Sequence, residues 1–200
     1  MNQQVRQILS QITKLEDDLH KLLNEQQIEL RYRINGTKVS FEKNIREAQK
    51  QLKTGIFSFI KRSQPRNVVT APVIYSLIIP LVILDAWVSL YQAICFPLYR
   101  IPKVKRSKYI IIDRHNLAYL NSIEKLNCIY CGYCGGVFSY TREIAARTEQ
   151  YWCPIKHARK ILDPHRRYAH FVDFGQGEEY HQILGNLREE LRGEKETDEK

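Results

Sequence analysis

The 200-residue sequence predicts a mainly α-helical protein in three parts. These are an N-terminal coiled-coil hairpin over residues 1–66, an apolar re-entrant membrane hairpin over 67–102 and a small helical metal-binding domain over 103–192. Three observations carry this expectation. Apolar residues near the N-terminus step by three and four, the stretch between Arg66 and Arg100 carries a single charged residue, and cysteines cluster from Cys128 to Cys153. Only 9 Gly and 7 Pro interrupt the chain, which agrees with long helices.

At the N-terminus, Val5, Ile8, Ile12, Leu15, Leu19 and Leu22 form the seam of a heptad helix over residues 2 to 30. Phe41, Ile45, Ala48, Leu52 and Phe59 make a second seam, with Gly55 at the intervening position. Asn35-Gly36 between them is a turn signal, so the two seams are expected to close as an antiparallel helical hairpin. A local rival exists: Leu30, Tyr32, Ile34, Val39 and Phe41 alternate around Asn-Gly as a β-hairpin does. The heptads cover more residues, so helices are favoured. Such a coiled coil serves to bind a protein partner or to self-associate.

From Val68 to Tyr99 the chain is apolar except for Asp85, and a membrane helix needs only about 20 such residues. Pro80 falls near the middle, and an aspartate at a bilayer centre costs about 2.5–3.5 kcal/mol. Both flanks are basic: Lys61, Arg62 and Arg66 before, Arg100, Lys103, Lys105, Arg106 and Lys108 after. A re-entrant form satisfies all three facts, with arms Ala71 to Ile79 and Leu81 to Phe96 and the bend at Pro80. A single crossing and a buried soluble hairpin are the alternatives. Tyr75, Trp87, Tyr91 and Tyr99 suit an interfacial belt.

The net charge of +9 is explained by these flanks, where each Lys or Arg contributes about 1 kcal/mol toward an anionic leaflet. The expected partner is therefore an anionic lipid bilayer. Nucleic acid is disfavoured, since no recognition motif or aromatic-interleaved Arg patch accompanies the charge. The positive-inside rule places the bulk of the chain on the cytoplasmic side.

Beyond the apolar stretch, Tyr109 to Asp113 reads as a short strand and Arg114 to Lys125 as a helix. A second helix is expected from Val137 to Gln150, and a third starts at Pro154 and stops at Asp163-Pro164. His165, Arg166, Arg167, Tyr168, His170 and Asp173 form a polar cluster. An amphipathic helix runs from Glu178 to Leu191, and the charged tail 193–200 is expected to be disordered.

The cysteines carry the metal reading. Cys128 and Cys131 form a Cys-x2-Cys pair followed by Gly132, a spacing that lets two thiolates on one tight turn face one ion. Cys153 and His157, one helical turn apart, would complete a tetrahedral Cys3His zinc site. Cys134 offers another solution: Cys-x2-Cys-x2-Cys with a remote Cys153-Pro154 suits an iron–sulfur cluster. The remaining alternative is buried thiols without metal. Five cysteines and no resemblance to a cleavable signal peptide argue against disulfides.

Cys-Ile-Tyr-Cys-Gly-Tyr at 128–133 resembles the metal knuckle of rubredoxins and zinc ribbons. The second half departs from it, because Cys-Pro-Ile-Lys-His at 153–157 replaces Cys-Pro-x-Cys, and this favours zinc over tetrathiolate iron. The segment from Lys125 to His157 resembles a family of uncharacterised bacterial membrane-associated proteins, which implies a bacterial inner membrane and no particular reaction. The basic-flanked apolar stretch with its proline is similar to the re-entrant anchor of monotopic phosphoglycosyl transferases, and only their topology carries over.

The function expected is a membrane-anchored, zinc-binding scaffold or adaptor. A membrane-associated enzyme acting on a lipid-linked or phosphorylated substrate is the alternative, with Asp113, Arg114, His115, Glu143, Arg147, Glu149 and His165 as candidate groups. Glu143 and Arg147, at i,i+4, also read as a plain helix-face ion pair. An iron or iron–sulfur electron-transfer protein is the third reading.

Overall fold

The computed structural model describes residues 43–194 throughout, with 32–35, 38–41 and parts of 11–25 before them. Val5, Ile8 and the tail beyond Glu194 lie outside the described residues. The chain is mainly helical and divides into two compact units, 1–71 with 112–131 and 72–111 with 132–200.

In the first unit, the described positions between 11 and 25 are helical, and Ile12, Leu15, Leu19 and Leu22 of the seam are all exposed. The expected helical hairpin gives way to strands at its centre. β1 (Tyr32–Asn35) pairs antiparallel with β2 (Lys38–Phe41) in the register Tyr32↔Phe41, Ile34↔Val39. The local alternation around Asn-Gly therefore outweighs the heptad spacing there. Two short helices follow, α1 (Lys43–Gln51) and α2 (Ile56–Arg62), separated by an extended Gly55 that interrupts the second seam.

α3 (Pro65–Ser76) and α4 (Ile78–Tyr99) form the apolar stretch. The interruption lies before Pro80, and its cause is steric: a proline ring clashes with the carbonyl four residues earlier. That residue is Ser76, the last of α3. Leu77 between them stays in the right-handed region (φ −60°, ψ −19°), so the chain runs on rather than folding back. The expected arms are joined end to end. Together they make a 35-residue helical stretch whose most apolar window has a mean hydropathy of 2.2, long and apolar enough to cross a membrane. Only 11% of that window is buried.

Within the second unit, α4 buries one stripe, Leu81, Asp85, Gln92 and Phe96. Its end is sealed where Arg100 turns left-handed (φ 57°) and the Ile101 N–H reaches back to the Phe96 carbonyl at 2.8 Å, with Pro102 next. The chain then returns along α4 as a strap that makes one 3-10 turn at Arg106–Lys108. Gln92 takes the Val104 N–H on its carbonyl (2.9 Å) and gives its amide to the Val104 carbonyl (3.3 Å) and to the Tyr140 hydroxyl. Further along, Arg106 reaches Asp85. The Tyr109–Asp113 run forms no strand; Ile110 serves as a packing surface instead.

α5 (Ser122–Trp152) is one 31-residue helix where two were expected. It opens, in the first unit, with a capping box. Asn121 Oδ1 accepts the N–H groups of Ile123 and Glu124 at 3.0 Å, and Glu124 returns a bond to the Asn121 N–H at 2.8 Å. Its later part lies beside α4 in parallel, as the pairs Asp85–Tyr133, Gln92–Tyr140 and Tyr91–Thr148 record. Phe96, Ile101, Val104, Tyr140, Ile144 and Leu191 form the core. Leu191 comes from α6 (Tyr180–Gly193), the amphipathic helix expected from Glu178.

In α5, Gly136 makes a contact rather than a turn. A Cβ on Gly136 would stand 2.7 Å from the Ile110 Cα and 2.8 Å from the Tyr109 carbonyl, whereas one on Gly135 would meet nothing within 4 Å. Gly136→Ala is therefore expected to cost about 1–3 kcal/mol through overpacking. Gly135→Ala should raise stability by up to about 1 kcal/mol through helix propensity. Thermal and denaturant melts of the two variants check the pair.

Candidate functional site

The expected metal ligands are dispersed by α5. Cys128, Cys131 and Cys134 all lie within it, at i, i+3 and i+6, and Cys153 follows its last residue. Cys131 and Cys153 are exposed, Cys128 is half-buried and Cys134 is buried. From Cys134 to Trp152 alone the helix advances about 27 Å. The segment after Trp152 is not helical: Ile155 bridges Val172 in parallel, and the His157 N–H donates to the Tyr168 hydroxyl at 2.7 Å. Among the described residues no three His, Cys, Asp or Glu side chains are grouped to hold an ion. Closing Cys128, Cys131, Cys153 and His157 on one metal would require α5 to break.

What the second unit does bring together is the polar cluster that follows Asp163-Pro164. A cleft of about 710 Å³ opens between α5, the 163–170 segment and the end of α6. Glu143 and His165, two of the seven candidate groups, line it directly. Glu149 and Arg147 stand behind them: His165 Nε2 meets Glu149 at 2.9 Å, and Arg147 gives Nε to Glu143 at 2.8 Å. Asp113, Arg114 and His115 belong to the first unit.

The floor of the cleft is a saturated ion-pair network centred on Arg167. Its Nη2 donates to Glu143 (2.9 Å) and Glu194 (2.8 Å), and its Nη1 to Glu194 (2.7 Å) and Gln150 (2.8 Å). Arg147 spans from Glu143 to the Pro102 carbonyl at 2.7 Å, tying the network to the strap. Burial alone would raise the pKa of Glu143, but the Arg147 bond and the Arg167 charge outweigh it and hold the carboxyl below its ordinary range. Burial likewise pushes the Tyr109 hydroxyl up, so it stays protonated and able to donate.

At the cleft mouth the pairing is looser. Arg142 bonds the Asp163 carbonyl at 2.7 Å and its carboxylate at 3.2 Å, and the Asp163 side chain is 84% exposed. Asp163 itself sits at φ 52°, a left-handed conformation that most side-chain-bearing residues avoid and that aspartate adopts less readily than glycine.

A second polar centre sits on α4. Asp85 receives Arg106 in a two-pronged bond (3.0 and 2.6 Å) and the Tyr133 hydroxyl at 2.9 Å. Arg106 thus supplies the counter-charge of Asp85. Reading the sequence missed Gln92, which lies seven residues after Asp85 and hence on the same face. Arg167 as a hub was also missed, since its partners lie up to 27 positions away.

No protein-family model, curated protein or solved structure matches this chain. The site must be read from its own chemistry.

The Glu143 network sets an acid limit. In the unfolded chain Glu143 protonates near its ordinary 4.5; in the folded protein it does so only at lower pH. Below about 4.5 the unfolded state binds more protons, so stability falls as pH falls. Glu143→Gln should flatten that part of a stability-versus-pH curve. Removing Arg167 as Arg167→Met should cost about 3–5 kcal/mol by stranding Glu143 and Glu194, read from denaturant midpoints at pH 7.

Proposed function

We propose that this protein is a membrane-anchored scaffold that holds its C-terminal unit against an anionic bilayer. One observation carries the reading: α4 is inside-out. Its polar residues Asp85 and Gln92 are 7% exposed and face protein, while Val82, Ile83, Trp87, Leu90, Ile94 and Leu98 are exposed on the opposite side. α3 before it has no buried residue at all. Contiguous apolar surface of this extent marks a membrane or protein contact. The basic residues at both ends favour lipid, because they keep both ends at the headgroups of one leaflet. The apolar surface then lies immersed along that leaflet, with its polar groups on the protein side.

The exposed N-terminal seam supplies the scaffold's second contact, with a partner helix or another copy of the chain. Zinc enters this proposal only through Cys128 and Cys131, which share one helical face; zinc held by that pair is lost in Cys128→Ser and retained in Cys134→Ser, as elemental analysis of anaerobically purified protein reads.

Flotation with vesicles tests the anchor. The wild-type protein should float with phosphatidylglycerol vesicles and less completely with phosphatidylcholine vesicles. Replacing Leu90 and Ile94 together by glutamate should abolish flotation without lowering the melting temperature, because both side chains point away from the core. Flotation unchanged in that double variant would refute the anchor. Leu15→Asn with Leu19→Asn should weaken self-association in sedimentation, leaving flotation intact.

A further inference from the structure

We propose that the cleft of the C-terminal unit binds a phosphate monoester at Arg142, a position the Asp163 carboxylate occupies until the ligand displaces it. The cleft, at about 710 Å³, is of small-molecule size, and most of the residues lining it are polar or charged.

Its guanidinium groups divide into two kinds. Arg167 has its donors engaged by two carboxylates and an amide, and no ligand can take them without dismantling the cleft floor. Arg142 stands at the mouth, with Nη2 on the Asp163 carbonyl at 2.7 Å and Nη1 facing the Asp163 carboxylate, 3.2 Å away and 84% exposed. An exposed pair of that kind contributes little and is readily exchanged. A phosphate monoester carries close to two charges and three acceptor oxygens, and its geometry suits the planar fork of an arginine better than a single distant carboxylate does.

The backbone at Asp163 supports the exchange. A non-glycine residue held at φ 52° stores strain that its surroundings maintain, and such residues concentrate at ligand clamps and switches. Here the strained residue is the one whose carboxylate covers the cation. Releasing it uncovers Arg142 beside Arg166 and His170, with the Ser139 and Tyr109 hydroxyls on the same walls. Those groups donate to oxygen acceptors. Glu190 and the Glu194 carboxylate on the α6 side repel a longer anionic chain, which selects one phosphate over a polyphosphate.

The same chemistry occurs in a soluble phosphomonoester and in the headgroup of phosphatidic acid, and the experiment separates them. Full-length protein in detergent micelles is titrated calorimetrically with glycerol phosphate, and in parallel with micelles doped with phosphatidic acid or with phosphatidylglycerol, a diester. Binding of glycerol phosphate, weakened at least tenfold by Arg142→Gln and tightened several-fold by Asp163→Asn, supports a site for phosphomonoesters at large. Binding of phosphatidic acid alone, with the same response to both variants, supports the site and assigns it to a lipid headgroup. No binding of either monoester at millimolar concentration overturns the proposal, as does binding that Arg142→Gln leaves unchanged. Weaker binding in Asp163→Asn overturns the displacement step. Because the titration needs no bilayer, its failure is independent of failure of the flotation test.

Discussion

Two polar side chains on one face of an apolar helix set the arrangement of the C-terminal unit. Asp85 and Gln92 are seven residues apart on α4, so they point the same way, and neither can be left buried without partners. The chain meets this demand by doubling back after Arg100. Val104 then lies on Gln92 and Arg106 on Asp85, while Tyr140 and Tyr133 of α5 complete the bonds. Once those contacts are made, the inner face of α4 is decided, and so is the outer one. Trp87, Leu90 and Ile94 face away because the polar residues cannot.

The strap that satisfies α4 also positions the cleft. Pro102 accepts from Arg147, which holds Glu143, which holds Arg167. Ile110 at the far end of the strap presses on Gly136, so α5 must carry a glycine where the strap crosses it. The exposed apolar face of α4 and the polar cleft thus belong to one unit and rest on one segment. The scaffold proposed above would use both, an apolar side to hold it and a polar side to meet soluble or headgroup chemistry.

Much of this was legible from residue patterns. The apolar stretch, its basic flanks and the final amphipathic helix follow from spacing and charge, whereas Glu143, Arg147, Glu149 and His165 stood only as candidate groups beside Asp113, Arg114 and His115, which lie in the other unit. The failures have physical causes. Cys-x2-Cys-Gly reads equally as a knuckle or as little more than one turn of helix, and of the Gly135-Gly136 pair that suggested a turn, Gly136 is there for close packing against Ile110. At Asn35-Gly36 a strong local turn signal outweighed a longer heptad pattern. Pro80 interrupts the helix where its ring meets the Ser76 carbonyl, without reversing the chain, because Leu77 remains helical. Arg167 could not be foreseen as a hub, since its partners come from two other segments, α5 and the end of α6.

The most direct test of the account uses the tryptophans. The chain has two, and Trp152→Phe leaves Trp87, 70% exposed on the outer face of α4, as sole reporter. Its fluorescence is measured in anionic vesicles whose acyl chains carry bromine. The account predicts a blue-shifted emission that the bromines quench. Emission that stays at the position seen for water-exposed tryptophan, unquenched on protein that co-floats with the vesicles, would show that the outer face of α4 does not meet lipid and would contradict the account at its centre.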